Sequence, residues 1–169
     1  MTFSQQIIAT FVGSLAGFIF AILLFYLTEH IKSRRQKSKS IAGLKKEFAY
    51  NFLLIDKWID ETEQILRKVA SGDHDIFILY RLTDYQRLFT QLCFQQGILY
   101  DALDSKAIAE LNSILIHFDM GTTQWLNGFI NQWHENKLPS VEANRVFEFE
   151  RGELKKYKEQ LGNMLKGMK

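Results

Sequence analysis

Hydrophobic and polar positions divide this chain into an uncharged beginning and a periodic remainder. From Ile7 to Leu27 no charged side chain occurs, and Glu29 is the first. At about 1.5 Å of rise per residue, a helix over that run is roughly 31 Å long, which matches the hydrocarbon core of a bilayer. The run predicts a membrane span. It is also sorted by face: Ala9, Gly13, Gly17 and Ala21 recur every four residues with Thr10 and Ser14 beside them, while Phe11, Leu15, Phe18, Ile19, Ile22 and Tyr26 take the other side. At about 100° per residue this gives one small, partly hydroxylated stripe suited to close protein contact and one bulky stripe suited to lipid.

Beyond the span, Ile41, Leu44, Phe48, Phe52, Ile55, Ile59, Thr62, Leu66 and Val69 keep steps of three and four, so an amphipathic helix is expected to about Ala70. No strong breaker separates Leu27 from Ile41. Span and helix are therefore expected to be continuous, with Ser38, Ser40 and Gly43 permitting a bend. Ser71-Gly72-Asp73-His74-Asp75 is a turn cluster. The apolar run Ile76 to Leu82 fits strand or helix by pattern; a helix or buried connector is favoured because a lone strand would lack a partner. Thr83 and Gln86 have capping-box spacing and predict a helix through Tyr85, Leu88, Phe89, Leu92, Tyr100 and Leu103, loosened at Gly97. Asp104 or Ser105 is expected to cap one longer helix from Ile108 to Trp133, ending near Asn136 before Pro139. Ser140 is expected to cap the last helix, which carries Val146, Phe147, Tyr157 and Leu161.

The expected fold is all-α, one N-terminal transmembrane helix continuing into a cytosolic bundle of about four helices. Its parts are an anchor over 1–30, a basic juxtamembrane segment over 31–46 and a helical bundle over 47–169. Hydrophobic residues make up 47% of the 169 and aromatics 14%. That content supports a packed core and argues against disorder.

Charge adds an orientation. The net charge of +2 hides an excess of bases over residues 1–46, where Lys32, Arg34, Arg35, Lys37, Lys39, Lys45 and Lys46 stand against Glu29 alone. These bases directly follow the span, so the positive-inside rule puts the N-terminus outside and the C-terminal bundle in the cytoplasm, at the inner (cytoplasmic) membrane. Lys32, Arg34, Arg35, Lys37 and Lys39 read as a topology determinant that also contacts membrane lipid headgroups. No aromatic residue lies between Lys32 and Lys46 to stack on bases, so direct nucleic-acid binding is not expected. The flanks of the apolar run also lack the pattern of a cleaved signal peptide.

Chemical motifs are sparse. A phosphate-binding Gly-rich loop, a Rossmann fingerprint, His-Glu-x-x-His and Gly-x-Ser-x-Gly are all missing from the sequence. One cysteine, Cys93, excludes an internal disulfide and a cysteine zinc cluster, and its neighbours Leu92 and Phe94 suggest a buried thiol. Asp73-His74-Asp75 reads as a solvated turn, and no metal or cofactor is expected. Two polar groupings remain. Asn112 and His117 are five positions apart, and Asn127, Asn131 and His134 share a face at i, i+4 and i+7. Bundle-edge polar residues produce both patterns, and the stripe suits a solvated or subunit-facing surface.

The Asn112-x4-His117 spacing resembles the Arg/Asn-x4–6-His motif of HEPN domains, small helical bundles that commonly act as metal-independent ribonucleases. With the N-terminal span, the basic run and the compact helical domain, the whole chain resembles the small membrane accessory proteins of type VI-B CRISPR loci. That resemblance implies an HEPN-like bundle and a homo-oligomeric membrane pore that assists an RNA-guided ribonuclease against phage by depolarising the membrane. Asn112 and His117 would be the catalytic pair of a ribonuclease, and the absence of Arg at position 112 departs from the cleaving pattern.

The leading expectation is a self-assembling pore built on Ala9, Thr10, Gly13, Ser14, Gly17 and Ala21, without enzymatic activity. The alternatives are a membrane-tethered adaptor that recruits a soluble partner, and a membrane-bound HEPN-type ribonuclease.

Overall fold

The computed structural model describes residues 3–168, with side chains described at position 3 and from position 10 onward. Its first helix, α1, runs from Phe3–Ser71 without interruption, as the absence of breakers after Leu27 predicts. Gly72, at φ 71°, ends it in the left-handed conformation that glycine adopts at no steric cost. The chain forms two compact units that meet in sequence at Ser40 and Ile41, slightly before the expected start of the bundle at residue 47.

The first unit is helical. Every described side chain from Thr10 to Lys39 is exposed, including Phe11, Phe18, Phe20, Phe25 and Tyr26. This is the one described helix long and apolar enough to cross a membrane.

The second unit is an all-α bundle with no strand among the described residues. After α1 come an irregular connector and a 3-10 turn at Leu82–Asp84. Then follow α2 (Leu88–Gln95), α3 (Ile98–Ala102), α4 (Ser105–His117), α5 (Met120–His134) and α6 (Ser140–Gly167). From α1 the core takes Leu44, Phe48, Ile55, Trp58 and Ile65. Leu111, Ile114, Phe118, Leu126, Ile130 and Trp133 enter from the middle of the chain, and Phe147, Leu154 and Leu161 from α6. Along α6 the buried positions Val146, Glu150, Leu154, Tyr157, Leu161 and Met164 keep steps of three and four.

Two expected helices are divided. Thr83 lies inside the 3-10 turn, and the single helix expected through Leu103 is instead α2 and α3, separated at Gly97 with φ 70°. The α2 N-terminus is capped from a distance. Buried Glu47 on α1 accepts hydrogen bonds from the backbone N–H of Phe89 (2.6 Å) and of Thr90 (2.9 Å), and from the Thr90 hydroxyl (2.6 Å). A carboxylate there also meets the positive end of the helix dipole.

The helix expected from Ile108 to Trp133 breaks at Phe118. Buried positions Leu111, Ile114 and Phe118 keep helical steps, but the next is Thr123, five residues on. One straight helix cannot hold both sets on a single face. Phe118 packs on Tyr85 at 4.7 Å and Trp58 at 5.1 Å between ring centroids, and Asp119 restarts the chain as the N-cap of α5 by accepting from Thr122 N at 2.7 Å. Pro139, rather than Ser140, is the N-cap residue of α6.

Candidate functional site

The expected assembly surface is bare within its own unit. A Cβ added at Gly13 or Gly17 would meet no atom within 4 Å. Thr10, Ser14 and Ala21 are exposed, and the Ala9 side chain lies outside the described residues. The Ser14 hydroxyl donates to the Thr10 carbonyl at 2.8 Å, and that of Thr28 to the Leu24 carbonyl at 2.7 Å. These bonds satisfy both hydroxyls inside the helix, so neither demands water in an apolar surrounding. Lys32, Arg34, Arg35, Lys37 and Lys39 are all exposed, with Lys32 3.7 Å from Glu29.

The residues with catalytic spacing diverge. Asn112 lies on the exposed side of α4, whereas His117 turns inward to α6, its Nε2 3.0 Å from Glu150 Oε1. Glu150 is completely buried, and its Oε2 has no hydrogen-bond partner among the described residues. The Tyr157 ring stands 4.9 Å from the His117 ring, and burial, reinforced by the neighbouring Glu153 carboxylate, pushes the Tyr157 hydroxyl well above the ordinary tyrosine range. A carboxylate that orients an imidazole is a familiar part of acid–base sites. Here it is an internal joint between α4 and α6, and Asn112 does not share it.

No family model, characterised protein or solved structure significantly matches this chain.

The polar stripe of α5 fastens the connector. Asn127 brackets Tyr80, its Oδ1 accepting from Tyr80 N at 2.8 Å and its Nδ2 donating to Tyr80 O at 3.0 Å. His134 Nδ1 donates to the His74 carbonyl at 2.9 Å, and His74 Nδ1 donates to the Trp133 carbonyl at 2.7 Å, with the His74 ring stacked on Trp133 at 4.2 Å. Trp133 Nε1 donates to the Asp73 carbonyl at 3.0 Å. Both histidines must carry their proton on Nδ1 to make these bonds. Asn131, on the same helix, stays exposed. In the turn, the Lys68 ammonium lies 2.9 Å from Asp73 and holds its carboxyl below the usual carboxylate range. Among the described residues, no three His, Cys, Asp or Glu side chains are grouped to hold a metal.

Glu47, Asn51 and Glu150 were not singled out by sequence. Asn51 makes the same kind of bracket as Asn127: it donates to Gln86 O at 2.7 Å and accepts from Gln86 N at 2.8 Å. Their one signal was a polar residue on an otherwise apolar helical face. Cys93 is buried as expected, and burial raises its thiol pKa, which keeps it protonated and unreactive.

Proposed function

We propose that this chain is a single-pass membrane protein that self-assembles through its span into a homo-oligomeric membrane pore, with the helical bundle on the cytoplasmic side. The observation that carries this reading is the bare apolar helix: none of the apolar window in the candidate span is buried within its own unit. A surface of that size does not remain in water, and lipid is its natural solvent. The open faces at Gly13 and Gly17 support helix association, because small residues let backbones approach closely in lipid. The bases after the span support the cytoplasmic orientation. A part in antiphage defence beside an RNA-guided ribonuclease belongs to the proposal on the strength of the resemblance alone.

The inward engagement of His117 disfavours the ribonuclease alternative, since the side chain meant to act on RNA is committed to Glu150. The test is dye release from liposomes reconstituted with the purified protein. Release is expected from the unmodified chain and its loss in Gly13→Leu/Gly17→Leu; tight liposomes with the unmodified chain would contradict the pore.

A further inference from the structure

The connector between α1 and the 3-10 turn has the side-chain pattern of a strand, with no partner strand among the described residues. Ile76, Tyr80 and Leu82 are buried and Ile78 is half-buried, while Phe77 (83% exposed), Leu79 (56% exposed) and Arg81 face outward. That alternation has a strand's period of two. The Tyr80 N–H and C=O both bond the Asn127 amide, as a strand residue bonds its neighbour. In strand geometry the backbone groups of Phe77 and Leu79 then face the opposite edge. They have no hydrogen-bond partner among the described residues. An open backbone edge flanked by exposed apolar side chains is a template for another extended chain.

The flanking charges say which chain. Asp75 and Arg81 are exposed at the two ends of the edge, and neither charged group pairs with another described residue. In an antiparallel pair of two copies centred on Ile78, Asp75 of each chain lies opposite Arg81 of the other and Phe77 opposite Leu79. The segment is thus complementary to itself in charge and in apolar contact. The pairing is also bounded: the Asp75 N–H already donates to Asp73 Oδ1 at 2.8 Å, and the Arg81 carbonyl accepts from Asp84 N at 3.0 Å. Between them, the backbone groups of Phe77 and Leu79 stay open on that edge, whereas Tyr80 is held by Asn127 and the Ile76 N–H donates to the His74 carbonyl at 3.0 Å.

We propose that residues Asp75 to Arg81 form a self-pairing edge at which a second copy of this chain adds an antiparallel strand, Phe77 and Leu79 of each exchanging backbone hydrogen bonds with Leu79 and Phe77 of the other. The contact is two-fold, so it closes at two chains. It does not depend on the span.

The test uses the full chain in detergent with Ile78→Cys in a Cys93→Ala background. A non-hydrogen-bonded antiparallel pair brings its Cα atoms to about 4.5 Å, within disulfide range. Oxidation is expected to give a covalent dimer, Arg81→Asp to cut its yield at least tenfold, and Asp75→Arg/Arg81→Asp to restore it. The dimer is expected to form equally in Gly13→Leu/Gly17→Leu; its loss there would mean that the span alone brings the cysteines together, and would overturn the proposal. Absence of the dimer, indifference to Arg81→Asp, or failure of the charge swap to rescue would also overturn it. In the unmodified protein, the Phe77 and Leu79 amides are expected to exchange at least tenfold more slowly at high than at low protein concentration, and concentration-independent fast exchange would refute the pairing without any substitution.

Discussion

His117 and Glu150 form a buried joint: Nε2 of the one lies 3.0 Å from Oε1 of the other, with the Glu150 side chain only 1% exposed. Removing one partner of a buried pair costs about 3–5 kcal/mol because the other is left in a poor solvent, whereas replacing both with apolar groups costs far less. His117→Ala should therefore lower the stability of the bundle by about 3–5 kcal/mol, and His117→Phe/Glu150→Leu by clearly less than the sum of the single changes. Denaturant unfolding of the detergent-solubilised chain measures both. A catalytic His117 would give the opposite result, loss of RNA cleavage in a protein of unchanged stability.

Acid sensitivity follows from the α5 cap. The Thr122 backbone N–H holds the Asp119 carboxyl below its ordinary value, and Lys68 does the same for Asp73. A carboxyl whose pKa is depressed by folding contributes stability above its unfolded value and loses it as pH falls through the folded value. Stability is expected to decline as pH drops below about 4. Asp119→Asn keeps an oxygen for the cap but removes the charge, so its stability profile against pH should be flatter below that point.

The proposed orientation rests on the bases after the candidate span. Replacing Lys32, Arg34, Arg35, Lys37 and Lys39 together by Glu removes the positive-inside signal. Labelling in intact cells with a membrane-impermeant thiol reagent should fail for a cysteine placed at exposed Asn163 in the native background and succeed in the charge-reversed one. Labelling in the native background would place the bundle outside.

Much of the helical architecture was legible because it depends on local pattern. An uncharged run of bilayer length, a three-and-four spacing after it, and Gly72 as the stop define α1 from neighbouring residues alone. The division at Phe118 was not legible in this way: it shows in the five-residue step between buried Phe118 and buried Thr123, and Thr123 is a polar residue whose burial no local pattern announces. What sequence could not supply are the long-range side-chain-to-backbone bonds. Asn51 reaches Gln86 across 35 positions, Glu47 reaches Thr90 across 43 and Asn127 reaches Tyr80 across 47. Such bonds depend on which turn of one helix lies beside which loop, and no local periodicity encodes that. For the same reason Asn127 and His134, which share a helix face, looked like a surface stripe before the connector was seen on them. The proposed surfaces show the reverse balance: the small face of the candidate span needed only local spacing, while the proposed self-pairing edge became visible once burial showed which connector residues face outward.

The measurement that bears most directly on the account is the mass of the purified full chain in detergent, with bound detergent subtracted, by light scattering. A protein mass of more than two copies of the 19.8 kDa chain is expected, falling to two copies or fewer in Gly13→Leu/Gly17→Leu. A mass of two copies or fewer for the unmodified protein, or a mass unchanged by those substitutions, would contradict assembly through the span.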